Sequence, residues 1–188
     1  MVPKPDRSWT LFLDRDGVIN RRIPGHYVKS PDEFHLQNGV EQAIASFNLI
    51  FGRVVVVTNQ AGIGKGLMTE EDLQEVHKKL SAKLRILGAR IDYYFHCPDL
   101  PDSGSPCRKP ATGMAMQAQA SFPEIDFQKS IVVGDSLGDI QFGKSLQMYT
   151  VLVAGKEEEE PELADAPYDM KVDSLFEFAE KLNENGEI

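Results

Sequence analysis

Residues 9 to 13 form a short apolar run that ends abruptly in Asp14 and Asp16, one residue apart, followed by Gly17. Such a run without polar alternation reads as a strand buried on both faces of a parallel sheet, and open α/β sheets bind ligands just beyond the carboxyl ends of their strands. The two carboxylates therefore stand at a binding edge. Acids this close repel one another, and a shared cation, proton or phosphorylated ligand offsets the cost. Asp-Gly is also common turn punctuation, so a plain turn stays open for this decapeptide alone.

The same arrangement recurs along the chain. Residues 39 to 51 read as a helix with Val40, Ile44, Phe47 and Phe51 on one face, and 53 to 57 as a second strand ending in Thr58, Asn59 and Gln60. Gly62, Gly64 and Gly66 suggest a flexible loop, after which Thr69 and Asp72 form a capping box opening a helix to about Leu87. A third strand at 91 to 96 precedes a proline-rich loop, 97 to 111, and Thr112 can cap a helix to about Phe122. A fourth strand at 130 to 133 runs into GDSLGD, where Ser136 starts a helix; a fifth strand at 149 to 153 and a helix at 174 to 182 follow. Strands alternating with helices predict an α/β fold: a Rossmann-like, doubly wound parallel sheet in three α/β/α layers. Residues 15 to 37 are polar and irregular, a loop or small flap over the site, and the stretch before Thr58 leaves no room for a cap domain.

With 188 residues the chain is expected to be one domain, 1–188, able to bury a core without disulfides. Its net charge of −9 argues against a nucleic-acid partner, which needs a basic face. No apolar run approaches a membrane span, and the amino terminus lacks a signal-peptide pattern, so a cytoplasmic location is expected. The acidic run at 156 to 162 reads as a solvated loop, and Cys97 and Cys107 as reduced thiols or metal ligands rather than a disulfide.

The carboxylates suggest a chemistry. Asp14 can attack phosphorus, giving an acyl phosphate that water hydrolyses readily. Asp16 can protonate the leaving alkoxide and then take a proton from water, a role that calls for a pKa raised by anionic neighbours. Magnesium is the expected cofactor, held by Asp14, the backbone carbonyl of Asp16, and Asp135. Thr58, Asn59 and Lys109 can hold the equatorial phosphate oxygens. Asp139 is open between a partner behind the metal ligands and a plain helix-surface acid.

LDRDG at 13 to 17, TNQ at 58 to 60, RKP at 108 to 110 and GDSLGD at 134 to 139, each after its own strand, resemble the four motifs of the haloacid dehalogenase superfamily of phosphatases. The wording DRDGVIN, the segment VVVTNQAGIGKG and a cysteine directly before RKP resemble the branch holding the heptose-bisphosphate and histidinol-phosphate phosphatases. That resemblance implies action on a small phosphorylated sugar, most simply a heptose bisphosphate, with histidinol phosphate as the alternative; separately, the chain is expected to be a monomer. Recognition then falls to Gly25, His26 and Tyr27, to Asn59 and Gln60, and to Arg108, whose fork suits a distal anionic group. The chain departs from the branch in two places. Ser136 stands where a lysine is common, and the family's zinc loop of Cys-x-His and Cys-x-Cys is reduced to Cys97, Asp99, Ser105 and Cys107, a weak or lost site, so zinc is not expected. His96, next to Cys97 on an extended strand, points away from it. Two other classes remain: a receiver domain that accepts phosphate on an aspartate, in which a DxD would not end the first strand, and a silent binding relative.

Overall fold

The computed structural model describes residues 2–155 and 160–185. In chain order the elements are β1 (Thr10–Leu13), α1 (Val40–Ile50), β2 (Arg53–Asn59), α2 (Ala61–Gly64), α3 (Glu70–Ile86), β3 (Tyr93–Cys97), α4 (Gly113–Ser121), β4 (Ser130–Gly134), α5 (Leu137–Ser145), β5 (Tyr149–Val153), α6 (Glu160–Ala164), β6 (Met170–Val172) and α7 (Leu175–Asn185). The strands form one sheet in the order β3-β2-β1-β4-β5-β6, with every pairing parallel.

Strand periodicity divides the core. Leu11, Leu13, Val54 and Val56 face one layer with Ile44 and Phe47 of α1, Leu80 of α3 and Phe178 of α7, while Phe12, Val55 and Val57 face the other with Met114 of α4 and Phe142 of α5. This is the expected three-layer arrangement. Thr10 pairs with both Arg53 and Ser130, so Leu13 stands level with Val56 and Val133. The loops after β1, β2 and β4 therefore open at one edge.

Local signals explain most boundaries. Thr69 and Asp72 form the capping box of α3, and Ser136 and Asp139 form another at α5. Thr112 precedes α4 without a side-chain cap. The glycine-rich stretch after Gln60 is a short helix, α2, rather than an open loop; a β-carbon at Gly64 would lie 2.6 Å from the Pro98 carbonyl oxygen, so this turn packs against the loop after β3. Within the acidic run, residues 156–159 lie outside the described residues, and α6 replaces the expected loop from Glu160 onward. The sixth strand has only three residues with Lys171 exposed at its centre, which is too little apolar pattern to read. Among the described residues no helix is long and apolar enough to cross a membrane.

Candidate active site

Asp14 follows β1 and Asp135 follows β4. Their carboxylates, with that of Asp139 from the first turn of α5, offer oxygens within 4.8 Å of one another. Gly17 makes this approach possible: its φ is +95°, and a β-carbon there would sit 1.9 Å from Asp135 Oδ2. Gly134 is under the same constraint, with Asp139 Cβ 2.1 Å from where its own β-carbon would be.

Lys109 is the cation of the cluster. Its Nζ lies 2.7 Å from Asp14 Oδ1 and 2.5 Å from Asp139 Oδ1, and donates to the Val57 carbonyl at 2.7 Å. Burial works against the ammonium, but the two carboxylates outweigh it and raise its pKa, so it stays charged. Asp14 behaves differently: burial pushes its carboxyl up to about 6, with Lys109 opposing and Asp139 adding to the rise. It is an anion at neutral pH. Asp139 is buried, and it accepts from Ser136 Oγ at 2.5 Å, so it is a partner within the cluster and not a surface acid.

Asp16 departs from expectation. Burial alone would raise its pKa, but the Arg15 charge and hydrogen bonds from Asn20 and Gln60 outweigh that and hold it below the ordinary value. The expected upward shift is thereby corrected: the donors close to Asp16 overrule the effect of its burial. Arg15 Nη2 donates to both oxygens at 3.0 and 2.9 Å, and Asn20 Nδ2 and Gln60 Nε2 each donate at 2.8 Å.

A cavity of about 240 Å³ opens above these groups. Thr58, Asn59, Arg108 and Ser136 line it, and residues 15 to 37 supply a flap whose Arg22, His26 and Tyr27 form the opposite wall. Lys65 Nζ stands 5.3 Å from the Tyr27 ring centroid. Gly25 does not line the cavity. Gln60 is fully buried, its amide donating to Thr58 Oγ1 and Asp16, so it lies behind the carboxylates rather than on the wall. Arg22 Nη1 approaches Asp135 Oδ2 at 3.9 Å.

The reading of Cys97 and Cys107 as reduced thiols or metal ligands is corrected: the two form a disulfide. Cys97 ends β3, and the following loop returns to bring the two Cα atoms 5.5 Å apart, a separation that a disulfide spans. Asp99 Oδ2 and Ser105 Oγ lie 3.5 and 3.3 Å from Cys107 Sγ, so all four positions of the reduced zinc loop converge. With the sulfurs bonded to each other, only weak oxygen donors remain there. The same loop holds Arg108, whose Nη1 donates to the Asp99 carbonyl at 3.2 Å.

Reasoning from sequence missed Arg15, Asn20 and His77. The first two lie inside the DRDGVIN wording, and His77 interrupts the apolar stripe of α3 formed by Leu73, Val76, Leu80 and Leu84. A polar residue on such a stripe was the available signal.

Parallel strands whose motif-bearing loops share one edge, with a buried lysine bridging two carboxylates there, define a phosphatase of the haloacid dehalogenase superfamily. The sequence model of the family described as polynucleotide kinase 3 phosphatase matches residues 12–182, and the chain belongs to that family. D-glycero-alpha-D-manno-heptose-1,7-bisphosphate 7-phosphatase of Mycobacterium tuberculosis is 36% identical over 184 residues, covering 95% of this chain and 94% of that protein. D-glycero-beta-D-manno-heptose-1,7-bisphosphate 7-phosphatase of Bordetella bronchiseptica is 40% identical over 131 residues, 70% of this chain and 72% of that one. The crystal structure of D,D-heptose 1,7-bisphosphate phosphatase from B. bronchiseptica, complexed with magnesium and phosphate, superposes with a TM-score of 0.84 at 32% identity, covering 94% of this chain and 99% of that one.

Proposed function

We propose that the chain removes the 7-phosphate of D-glycero-D-manno-heptose 1,7-bisphosphate through an aspartyl phosphate on Asp14, with magnesium as cofactor. The observation that carries the reaction is Asp14 itself, an anion at neutral pH at the floor of the cavity, held in place by the Lys109 ammonium. The substrate reading is supported by relatives of that name matching nearly the whole chain and by Arg22 and Arg108 on the cavity wall.

Asp14 attacks phosphorus, the bond to the sugar oxygen breaks, and Asp16 gives that oxygen a proton. Water then attacks the acyl phosphate, Asp16 takes its proton, and inorganic phosphate leaves with Asp14 restored. The hydrogen bonds around Asp16 favour its anion, which suits the second half; a substrate phosphate beside it works towards the protonated form needed in the first. Lys109 and Thr58 face the transferring oxygens, and Asn59 fixes the loop that carries Lys109. Asp14 and Asp135 offer hard oxygen donors at a spacing that suits a small divalent cation, and the backbone carbonyl of Asp16 completes the proposed set. Magnesium bound there supplies the positive charge that lets two anions approach.

The acidic net charge supports a small-molecule substrate over a polynucleotide, despite the family's description. The proposed unit is one domain, a monomer free of membrane and acting in the cytoplasm. The deciding measurement is kcat/KM for both anomers of heptose 1,7-bisphosphate, histidinol phosphate, a 3′-phosphorylated oligonucleotide and simple sugar monophosphates. A tenfold preference for histidinol phosphate would replace the heptose reading.

A further inference from the structure

Arg15, between the two aspartates, points away from the cavity and is completely buried. Its Nη2 meets both oxygens of Asp16, and its Nη1 lies 3.3 Å from His77 Nε2. Arginine has only donors, so His77 Nε2 accepts and the ring carries its proton on Nδ1. The His77 ring stacks on Tyr94 of β3, with centroids 4.4 Å apart and planes 13° apart. Burial first, then the neighbouring guanidinium, pushes its pKa down to about 3, so the acceptor persists across the neutral range.

We propose that His77 is a positioning residue for proton transfer: by accepting from Arg15 Nη1, it sets the rotation of the guanidinium so that Nη2 grips Asp16 at two points and fixes where that carboxylate stands. Packing does not require a histidine there, because Leu73, Val76 and Leu80 make the rest of this face apolar. What the ring adds is an acceptor for a buried N–H that would otherwise have no partner on that side. Without it the guanidinium is held only through its Nε and Nη2 contacts with Asp16 itself, so the pair can shift together and the carboxylate loses its fixed place. The inference rests on the reading of Asp16 as acid and base.

A sugar alkoxide needs a proton to depart, whereas 4-nitrophenolate leaves without one. The later attack of water is common to both, so the comparison is made in kcat/KM, which reports only the steps up to departure of the leaving group and there isolates Asp16 as the acid. In His77→Leu, kcat/KM for the sugar phosphate is expected to fall about tenfold. On 4-nitrophenyl phosphate the fall should stay under about twofold. His77→Gln, whose Oε1 can accept from Arg15, should recover most of the loss. Equal losses on both substrates, or a glutamine no better than leucine, would overturn the proposal. Asp16→Asn separates the two readings: selective loss there with equal loss in His77→Leu removes the role of His77 alone, and no selectivity in Asp16→Asn removes both. Should His77→Leu not fold, Arg15→Lys keeps the charge without the fork, and the same selective loss is expected; an unselective loss, or none, counts against the proposal.

Discussion

Asn59 and Lys109 exchange two hydrogen bonds: Asn59 Nδ2 donates to the Lys109 carbonyl at 3.1 Å, and the Lys109 amide donates to Asn59 Oδ1 at 3.0 Å. One side-chain amide thus fastens the end of β2 to the loop carrying the buried lysine. Asn59→Ala removes both bonds, and kcat/KM is expected to fall about tenfold or more as Lys109 loses its anchor. Urea unfolding should show a loss of about 1–3 kcal/mol from the unpaired backbone groups. Wild-type kinetics in this variant would show that the loop holds itself.

Asp14→Asn is nearly isosteric yet cannot attack phosphorus. Turnover should drop on the order of 10³-fold or more, about 4 kcal/mol of transition-state stabilisation. Because Asp14 is a buried anion that burial disfavours, the neutral amide should unfold at the same temperature as wild type or higher. Near-normal rates at saturating magnesium would remove Asp14 as nucleophile.

Arg108→Ala tests the second phosphate of the substrate. Loss of a charge-assisted contact should raise KM for the bisphosphate about tenfold while leaving a sugar monophosphate almost unaffected. An equal rise for both would place Arg108 at the reacting phosphate instead.

His77 gives a pH signature in stability. Its folded pKa of about 3 lies below the model-peptide value of 6.5, so between those values the unfolded chain binds more protons and stability rises with pH. As pH falls from 6.5 towards 3, this group should remove up to about 1.4 kcal/mol per pH unit. His77→Gln lacks that dependence. The wild-type advantage in urea should therefore shrink on acidification, since other groups cancel in the comparison, and a constant difference from pH 7 to 4 would contradict a buried neutral ring.

Purified without reductant, the protein should carry no stoichiometric zinc, and its intact mass should be lower than that of the reduced chain by two hydrogen atoms. Phosphatase activity should survive chelation followed by magnesium alone. One tightly held zinc per chain in elemental analysis would reverse this.

What the sequence made legible follows from physics that acts locally. Apolar runs ending in charge placed Asp14, Thr58 and Asp135 at one sheet edge, because burial and hydrogen-bonding demands act on each run separately. His77 was not legible, since its partner Arg15 lies 62 residues away and only the packing of α3 against the sheet joins them. Gln60 resembled a cavity residue because it ends a strand, yet its backbone turns the amide inward beneath Asp16. The Cys97–Cys107 bond depends on the path of a proline-rich loop, which spacing in sequence does not determine.

The central position of β1 bears on how the chain is made. Thr10 pairs on one side with Arg53 and on the other with Ser130, so β1 leaves the ribosome well over a hundred residues before its second neighbour exists. Until then it presents an apolar open edge, the kind of surface on which nascent chains aggregate or recruit chaperones. For most of that interval Asp14 also lacks Lys109, and Asp135 and Asp139 arrive only with the end of β4 and the start of α5. On the proposed mechanism the nascent chain therefore gains activity towards phosphate esters only once β4 and α5 have docked.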